Sequence, residues 1–249
     1  MVTGAARGIG AGISQAMAAE GAHLVIVDLL ADQAAEVAMT IIENGGVAKS
    51  VAADVTDREQ VKAVIDFAVT SYGNLDAWFN NAGVNDPREF LSIDKENWDF
   101  IHDVNCWGVV VGMQEAARRF IEQGAPGKIV NTASSVGRQG VGVIAPYCAS
   151  KAAVISLTQS GARAFAQHGI TVNGFAPGLV DTPIWEGIDK AVEAMGRPEL
   201  KFSRLHSDIL LGRAALPADI GPVAIFLAGS DSDYITGQII PVDGGMVLV

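Results

Sequence analysis

The stretch Thr3-Gly4-Ala5-Ala6-Arg7-Gly8-Ile9-Gly10 opens the chain and indicates how it folds. Gly4, Gly8 and Gly10 would let the backbone turn tightly and approach a pyrophosphate, which would rest on the N-terminus of the following helix. Glycines alone are a weak signal, because every tight turn favours them. Their position strengthens it, since this turn would join the first strand to the first helix of a βαβ unit.

The strand before this turn is unusually short. Only Met1 and Val2 precede it, whereas a central strand needs about five residues. Three explanations stay open at this point: upstream residues were lost, the start was wrongly assigned, or another segment completes the sheet.

Short apolar runs alternate with longer helical patterns along the rest of the chain. His23–Asp28 predicts a strand, Ala31–Asn44 a helix, and Val47–Ala53 a second strand. Thr56-x-x-Glu59 has the pattern of a capping box, which predicts a helix that runs to about Tyr72. Three further apolar runs predict strands: Leu75–Asn80, Lys128–Thr132 and Ile170–Phe175. The pattern predicts an α/β protein with a doubly wound parallel sheet in a single domain, residues 1–249.

Composition narrows the class of protein. The 249 residues are 49% hydrophobic and carry a net charge of −11. An acidic surface argues against binding of nucleic acid or an anionic membrane. The sequence contains neither an apolar run near eighteen residues nor a secretory leader, so we expect no transmembrane helix and a cytoplasmic location.

Cysteine and histidine show no metal-binding pattern. Cys106 and Cys148 do not form a CxxC motif, and buried thiols in a reducing cytoplasm explain them. The histidines also lack metal-ligand spacing, so no catalytic metal is expected. They are His23, His102, His168 and His206.

Tyr147 and Lys151 lie four residues apart, which would place a phenol and an ammonium group on one helix face. The positive charge is expected to lower the phenol pKa from about 10 towards neutrality, so that the tyrosine can transfer a proton. Ser134 would follow the Lys128–Thr132 strand at its carboxyl end, where such sheets bind ligands. Its hydroxyl could stabilise negative charge on a carbonyl oxygen. These groups fit an alcohol that loses a proton while a hydride leaves for a nicotinamide.

Asp28 points to the choice of dinucleotide. A carboxylate at the end of the second strand accepts hydrogen bonds from ribose hydroxyls and repels a 2′-phosphate. Leu29 and Leu30 follow, with no basic side chain to bind that phosphate. The pattern favours NAD over NADP, although Arg7 leaves some room for NADP.

Two further strand ends carry weaker signals. Asp54 could accept a hydrogen bond from an adenine amino group, but an aspartate is equally ordinary in a turn. The small residues of Asn81-Ala82-Gly83 would let the ribose of a cofactor pass close to the backbone.

Together these pieces resemble the short-chain dehydrogenase/reductase family along the whole chain. The order and spacing of the matched motifs are highly specific. They are Thr3-Gly4-x-x-x-Gly8-Ile9-Gly10, Asp54, Asn81-Ala82-Gly83, Asn105, Ser134, Tyr147-x-x-x-Lys151 and Pro177-Gly178. The resemblance implies a Rossmann-type sheet of about seven strands and a homotetramer.

The resemblance also implies roles for individual residues. Tyr147 would be the general acid/base, and Lys151 would lower its pKa and hold the nicotinamide ribose. Ser134 would bind the substrate oxygen, and Asn105 would anchor a water relay to the lysine. Pro177, Gly178, Val180 and Thr182 would line the nicotinamide. With the residues at the glycine turn and the strand ends, the expected cofactor contacts also include Gly4, Arg7, Gly8, Ile9, Gly10, Asp28, Asp54, Val55, Asn81, Ala82 and Gly83.

Longer stretches around Tyr147 and Pro177 are similar to bacterial polyol dehydrogenases of the sorbitol, galactitol and butanediol (acetoin) types. Trp185 falls where those enzymes cover the substrate with an aromatic ring, although packing within a lid would explain it equally well. The chain departs from them at Ser135, where they tend to carry glutamine, and in the apolar loop Val141–Pro146. A pocket of this kind favours a small diol, a cyclic alcohol or a simple ketone over a hexitol.

Residues 179–212 interrupt the alternation of strands and helices and are expected to form a substrate lid. Three other functions compete with a dehydrogenase of alcohols. They are an NADPH-dependent ketoreductase acting on carrier-protein thioesters, a non-catalytic dinucleotide sensor, and a structural oligomer in which the nucleotide only stabilises the fold.

Overall fold

The computed structural model describes residues 1–248, and its centre is one parallel sheet of seven strands. The strands lie in the order β3-β2-β1-β4-β5-β6-β7. They are β1 (Val2–Thr3), β2 (His23–Asp28), β3 (Val47–Ala52), β4 (Ala77–Asn80), β5 (Gly127–Thr132), β6 (Ile170–Pro177) and β7 (Ile239–Val242). The order reverses beside β1, which is the topology of a doubly wound sheet. The predicted fold class is therefore confirmed.

Helices cover both faces of the sheet. They are α1 (Gly8–Ala19), α2 (Ala31–Glu43), α3 (Arg58–Tyr72), α4 (Lys95–His102), α5 (Gly108–Gln123), α6 (Ala145–Phe165), α7 (Ile184–Ala194) and α8 (Pro217–Ala228). Apolar residues of α3, α5 and α6 form one core, and those of α1, α2 and α8 form the other. Within β2, Val25 and Val27 join the first core while Leu24 and Ile26 join the second, because successive strand residues point to opposite faces. Burial on both faces explains the continuous apolar runs.

β1 is short but occupies the centre of the sheet. Val2 pairs with Ile26 of β2 on one side and with Phe79 of β4 on the other. The carbonyl of Met1 accepts the N–H of Phe79 at 2.9 Å, which extends the ladder by one residue. The explanation that another segment completes the sheet is therefore wrong, since β1 itself lies between β2 and β4.

One helix start differs from its prediction. Asp57, rather than Thr56, caps α3, because its carboxylate accepts the backbone N–H groups of Glu59 and Gln60. Thr56 is engaged elsewhere, since its hydroxyl donates to Oδ1 of Asp54 at 2.8 Å. An ionised carboxylate is also a stronger acceptor than a hydroxyl for exposed amides at a helix start.

The segment 179–212 lies against the loop that precedes α6. It contains α7 and short 3₁₀ turns at Pro198–Leu200 and Phe202–Asp208. Ile188 and Val192 of α7 pack with Val143 in a small apolar cluster that is separate from the two cores. This is the place where a lid over the carboxyl ends of the strands would lie.

No helix in the described part of the chain is long and apolar enough to cross a membrane. Among the side chains that the structure describes, no group of three or more His, Cys, Asp or Glu is arranged to hold a metal ion.

Candidate active site

A cleft of about 400 Å³ opens at the carboxyl ends of the strands. The glycine turn, the ends of β2 and β3, the loop after β4 and the start of the 179–212 segment line it. The lining residues include Gly4, Arg7, Gly8, Ile9, Gly10, Asp28, Asp54, Val55, Asn81, Ala82, Gly83, Tyr147, Lys151 and Thr182. Fourteen residues that were predicted from separate parts of the sequence thus line one cleft.

The glycine turn is built as the sequence predicts. Gly4 and Gly8 have φ values of +61° and +56°, which side chains rarely adopt. A Cβ on Gly10 would lie 2.3 Å from the carbonyl oxygen of Gly4, so this position also excludes a side chain. The turn leads directly into α1, whose first residues Gly8, Ile9 and Gly10 line the cleft. The first N–H groups of a helix have no partner within it.

Asn81 holds the turn against the end of β4. Its Nδ2 donates to the carbonyl oxygens of Thr3 and Gly4, at 2.9 and 3.1 Å. Thr3, which sequence reasoning missed as a site residue, accepts the N–H groups of Asn81 and Ala82 on its hydroxyl. The available signal was a threonine directly before the first glycine, since its hydroxyl can both donate and accept hydrogen bonds and so bridge β1 and the end of β4.

Asp28 is held by backbone amides. Its two carboxylate oxygens accept the N–H groups of Ala6 at 3.0 Å and Leu30 at 3.1 Å. Each oxygen keeps a lone pair with which to accept a ribose hydroxyl. Arg7 is exposed at the cleft edge, whereas Leu29 and Leu30 beside Asp28 are apolar.

Asp54 forms a turn of its own. Its Oδ1 accepts both the N–H and the hydroxyl of Thr56, each at 2.8 Å. The carboxylate therefore stabilises the loop after β3 whether or not it also contacts a nucleotide.

These features fit a dinucleotide. The cleft combines a glycine turn at a helix N-terminus, where a diphosphate binds, with a carboxylate at the end of β2, where a ribose binds. Gly83 has no side chain to crowd the bottom of the cleft. A Cβ there would lie 3.2 Å from Oδ1 of Asn105 and 3.5 Å from Nζ of Lys151.

Lys151 is buried beneath the cleft, with 4% of its surface exposed. Its Nζ donates to the carbonyl oxygen of Thr132 at 2.8 Å and lies 5.5 Å from the centre of the Tyr147 ring. Burial lowers the pKa of this ammonium group to about 8. Tyr147 and Lys151 stand together because α6 begins at Ala145 and carries both in its first two turns.

The prediction that the pKa of Tyr147 is lowered towards neutrality is wrong for the protein without a bound cofactor. Burial raises the pKa of the phenol to about 12, against a smaller lowering by its hydrogen bond with Ser134. Removal from water destabilises the phenolate, and this effect on the pKa is larger than the opposite effect of the hydrogen bond with Ser134. The sequence pattern gives the spacing of the two groups but not their burial.

Ser134 lies at the carboxyl end of β5, with 8% of its surface exposed, and its side chain hydrogen-bonds the Tyr147 phenol. Its extended backbone, with φ −166° and ψ 155°, continues the direction of the strand before a 3₁₀ turn begins at Ser135. A hydroxyl and a phenol therefore converge on one point beside the cleft.

Asn105 is fully buried in a π-helical segment, Asp103–Trp107, between α4 and α5. Its carboxamide accepts the N–H of Val84 at 2.8 Å and donates to the Val84 carbonyl at 2.9 Å. It also donates to the hydroxyl of Ser150 at 3.0 Å, a contact that sequence reasoning missed. Asn105 thus fixes the loop after β4 to α6. A π-bulge of this kind often marks a functional site.

The remaining predicted residues lie around β6 and the start of the 179–212 segment. Pro177 ends β6, and the N–H of Gly178 donates to Val242 of β7 at 3.1 Å. Val180 is buried and forms a bridge with Ala215, while Thr182 lines the cleft.

Trp185 packs inside the 179–212 segment. Its indole N–H donates to the carbonyl of Val180 at 2.9 Å, and its ring lies 5.1 Å from that of Phe202. The indole N–H is thus occupied, which leaves the apolar ring as the part of Trp185 that a substrate could contact.

Comparison with known proteins agrees with this geometry. A short-chain alcohol dehydrogenase family model, described as enoyl-(acyl carrier protein) reductase, matches residues 4–247. The chain is 42% identical to galactitol 2-dehydrogenase of Agrobacterium fabrum, over 98% of this chain and 95% of that protein. It is 41% identical to L-2,3-butanediol dehydrogenase of Corynebacterium glutamicum, over 99% of this chain and 97% of that protein.

Among solved structures, a short-chain type dehydrogenase/reductase from Mycobacterium marinum superposes with a TM-score of 0.90 at 33% identity. The match covers 100% of this chain and 94% of that one. The cleft with its paired tyrosine and lysine and the family match over nearly the whole length lead to one conclusion: the chain belongs to the short-chain dehydrogenase/reductase family of oxidoreductases.

Proposed function

We propose that the chain is an NAD-dependent oxidoreductase that interconverts a secondary alcohol and its ketone. The observation that carries the proposal is that Tyr147 and Lys151 line one cleft and that Ser134 is hydrogen-bonded to the Tyr147 phenol. A bound oxidised nicotinamide supplies the carbon that accepts the hydride, together with a positive charge.

The side chains account for the movement of the proton. Ser134 donates a hydrogen bond to the substrate oxygen and holds it near the phenol. Tyr147 takes the hydroxyl proton during oxidation and returns it during reduction, as a general base and acid. Lys151, held by the Thr132 carbonyl, brings a positive charge to within 5.5 Å of the ring and favours the phenolate.

That attraction must overcome the burial that raises the pKa of Tyr147 to about 12. Further positive charge beside the phenol would favour the phenolate, and an oxidised nicotinamide would supply it if bound there. A buried lysine and a cationic ring together stabilise a phenolate more than the lysine does alone.

The preference for NAD is proposed from Asp28. Its carboxylate is fixed by two backbone amides, so it cannot turn away from a 2′-phosphate without losing both hydrogen bonds. Its neighbours Leu29 and Leu30 offer no compensating positive charge. Of the two basic residues that line the cleft, Lys151 is buried and Arg7 is exposed.

The proposed substrates are a small diol, a polyol or a cyclic alcohol. Relatives named for galactitol and 2,3-butanediol support this class, and both compounds carry neighbouring hydroxyl groups. We further propose a homotetramer located in the cytoplasm. Free thiols at Cys106 and Cys148 support a reducing compartment, and light scattering of the purified protein would test the assembly.

The test is a dehydrogenase assay that follows NADH absorbance with secondary alcohols and both cofactors. The variant Tyr147→Phe should lower kcat by at least a factor of 1,000 and leave NADH binding within about threefold, because it removes only the proton carrier. Tyr234→Phe is the matched control, since Tyr234 is fully exposed and is not among the residues that line the cleft. Turnover by Tyr147→Phe at the rate of the control would refute the role of Tyr147.

A second candidate is an NADPH-dependent ketoreductase that acts on carrier-protein thioesters. The description of the matching family model as a reductase of acyl carrier protein substrates favours it. An acidic carrier would meet a chain with a net charge of −11, which weighs against it. Reduction of a β-ketoacyl thioester with NADPH, at a kcat/KM above that for any free alcohol with NAD, would establish this alternative.

A further inference from the structure

The loop between β3 and α3 lines the cleft with Asp54, the residue expected to bind the adenine, and with Val55. The hydrogen bonds of the Asp54 side chain and backbone are local. Its Oδ1 accepts the N–H and the hydroxyl of Thr56, and its N–H donates to Oε1 of Gln60 in α3 at 3.0 Å. Such bonds shape the loop and tie it to the helix that follows, but not to the other elements around the cleft.

Trp107 contacts this loop from a different part of the fold. It ends the π-helical segment, and its indole N–H donates to the carbonyl oxygen of Thr56 at 3.2 Å. The next residue, Gly108, allows a close approach, because a Cβ there would lie 2.9 Å from Cγ2 of Val55. Val55 is thus packed against the start of α5 while it lines the cleft.

Arg58, the first residue of α3, restrains the Trp107 ring. Its guanidinium carbon lies 5.8 Å from the centre of the ring, a contact between a cation and an aromatic face. The same guanidinium group donates to Oε1 of Gln114 at 2.7 Å and to the buried carboxylate of Glu115. Trp107 is 46% exposed, so without Arg58 its indole could turn away from Thr56 more easily.

The segment that carries Trp107 is firmly fixed. Asn105, two residues earlier, is fully buried and forms hydrogen bonds with Val84 and Ser150. Val104 of the same segment lines the cleft. Trp107 therefore connects a loop whose own hydrogen bonds are local to a segment that is anchored in the interior of the protein.

We propose that Trp107 is a positioning residue for the adenosine half of the cofactor. It holds the carbonyl of Thr56 and so keeps Asp54 and Val55 in place in the cleft wall. Trp107 is not among the described residues that line the cleft, so it acts through this loop rather than by contact with the dinucleotide. The inference rests on the function proposed above, since it requires a dinucleotide in the cleft.

The test measures the binding of ADP-ribose, which lacks the nicotinamide, and of NADH by isothermal titration calorimetry. Trp107→Phe keeps an aromatic ring for Arg58 but cannot donate the hydrogen bond. We expect the affinities for both ligands to fall by the same factor, about three- to tenfold, as for the loss of one hydrogen bond. The value of kcat at saturating NAD and alcohol should stay within about twofold, because saturation compensates for weaker binding.

Trp98→Phe is the matched control, since Trp98 is exposed to a similar extent, 41%, and its ring stacks on His102 within α4. It should leave both affinities unchanged. An unchanged affinity of Trp107→Phe for ADP-ribose would overturn the inference. A weaker affinity accompanied by a lower mass in light scattering would also overturn it, because Trp107 would then serve subunit assembly.

The binding measurements also separate this inference from the proposed function. If the wild-type protein binds neither ADP-ribose nor NADH, the proposed function fails and the role of Trp107 fails with it. If the wild-type protein binds both and Trp107→Phe binds them equally well, only the role of Trp107 fails.

Discussion

At the scale of single residues, the chemistry depends on burial as much as on identity. Tyr147 and Lys151 could be paired from their spacing, and the structure places Nζ 5.5 Å from the ring centre. Burial, however, moves both pKa values toward the neutral forms, to about 12 for the phenol and about 8 for the ammonium group. No property of the motif itself predicts how much water surrounds it.

The buried lysine should make stability depend on pH. Its folded-state pKa of about 8 lies below its unfolded value of 10.5, so burial of the charged form costs stability in full below pH 8. That cost falls as the pH rises through 8, because the folded protein then loses the proton first. Relative to Lys151→Met, the wild-type protein should therefore gain about 1–3 kcal/mol between pH 7 and pH 10.

Urea unfolding of both proteins at several pH values, without cofactor, measures this difference. Lys190→Met is the control, since Lys190 is an exposed lysine of α7. A difference between wild type and Lys151→Met that stays constant with pH would contradict the assigned pKa.

At the scale of elements, most boundaries follow from local pattern. β2 spans the predicted residues His23–Asp28, and α2 ends within one residue of its prediction. Local pattern was not sufficient at the start of α3, where Asp57 replaced Thr56 as the cap. Local pattern also did not predict the π-helical segment around Asn105. The Asn105 side chain forms hydrogen bonds with Val84 and Ser150, which lie far from it in the sequence.

The glycine turn offers a sharp test at this scale. Gly10→Ala places a Cβ 2.3 Å from the Gly4 carbonyl oxygen and 2.6 Å from Nδ2 of Asn81, so the turn and its clamp must separate. We expect at least a tenfold loss of NADH affinity and a destabilisation of about 1–3 kcal/mol. Fluorescence titration and urea unfolding measure the two effects.

Gly187→Ala is the matched control, because a Cβ at this exposed position of α7 meets no atom within 4 Å. It should stabilise the protein by roughly 0.5–1 kcal/mol, as alanine does within a helix, and should leave NADH affinity unchanged. Equal behaviour of the two variants would show that the close packing of Gly10 has no part in cofactor binding.

At the scale of the whole molecule, parallel strands bring distant residues to one edge. Asp28 ends β2, and Asp54, Asn81 and Ser134 follow three other strands, so that all four residues lie at the carboxyl edge of the sheet. A dinucleotide across this edge would contact both halves of the sheet, so its binding should stabilise the complete fold.

NADH at one hundred times its dissociation constant should therefore raise the free energy of unfolding by about 2.7 kcal/mol. For a chain of this length that corresponds to roughly 5–10 °C in Tm. NADPH at the same concentration should have a smaller effect, because the carboxylate of Asp28 repels a 2′-phosphate.

Asp28→Asn removes the negative charge. It should therefore reduce the difference between the Tm rise caused by NADH and the Tm rise caused by NADPH. Differential scanning fluorimetry measures both values of Tm. Asp32→Asn is the control, since Asp32 is an exposed acidic residue in the first turn of α2. A larger Tm rise with NADPH than with NADH in the wild-type protein would contradict the proposed preference for NAD.

The sequence by itself determined the fold class, the family and which residues are candidates for chemistry. These depend on short-range regularities: apolar runs that are buried on both faces, glycines that permit a turn, and a tyrosine one helical turn from a lysine. Such regularities act between neighbours in the chain and are visible without coordinates.

Only the tertiary structure decided how those residues are surrounded. It placed a two-residue β1 at the centre of the sheet, committed Asp28 to two backbone amides, and occupied the indole N–H of Trp185. Among the described residues, it also gave the buried Oδ1 of Asn85 no hydrogen-bond partner. Burial and hydrogen-bond partners arise from elements far apart in the chain, so pKa values and unsatisfied groups cannot be obtained from local pattern.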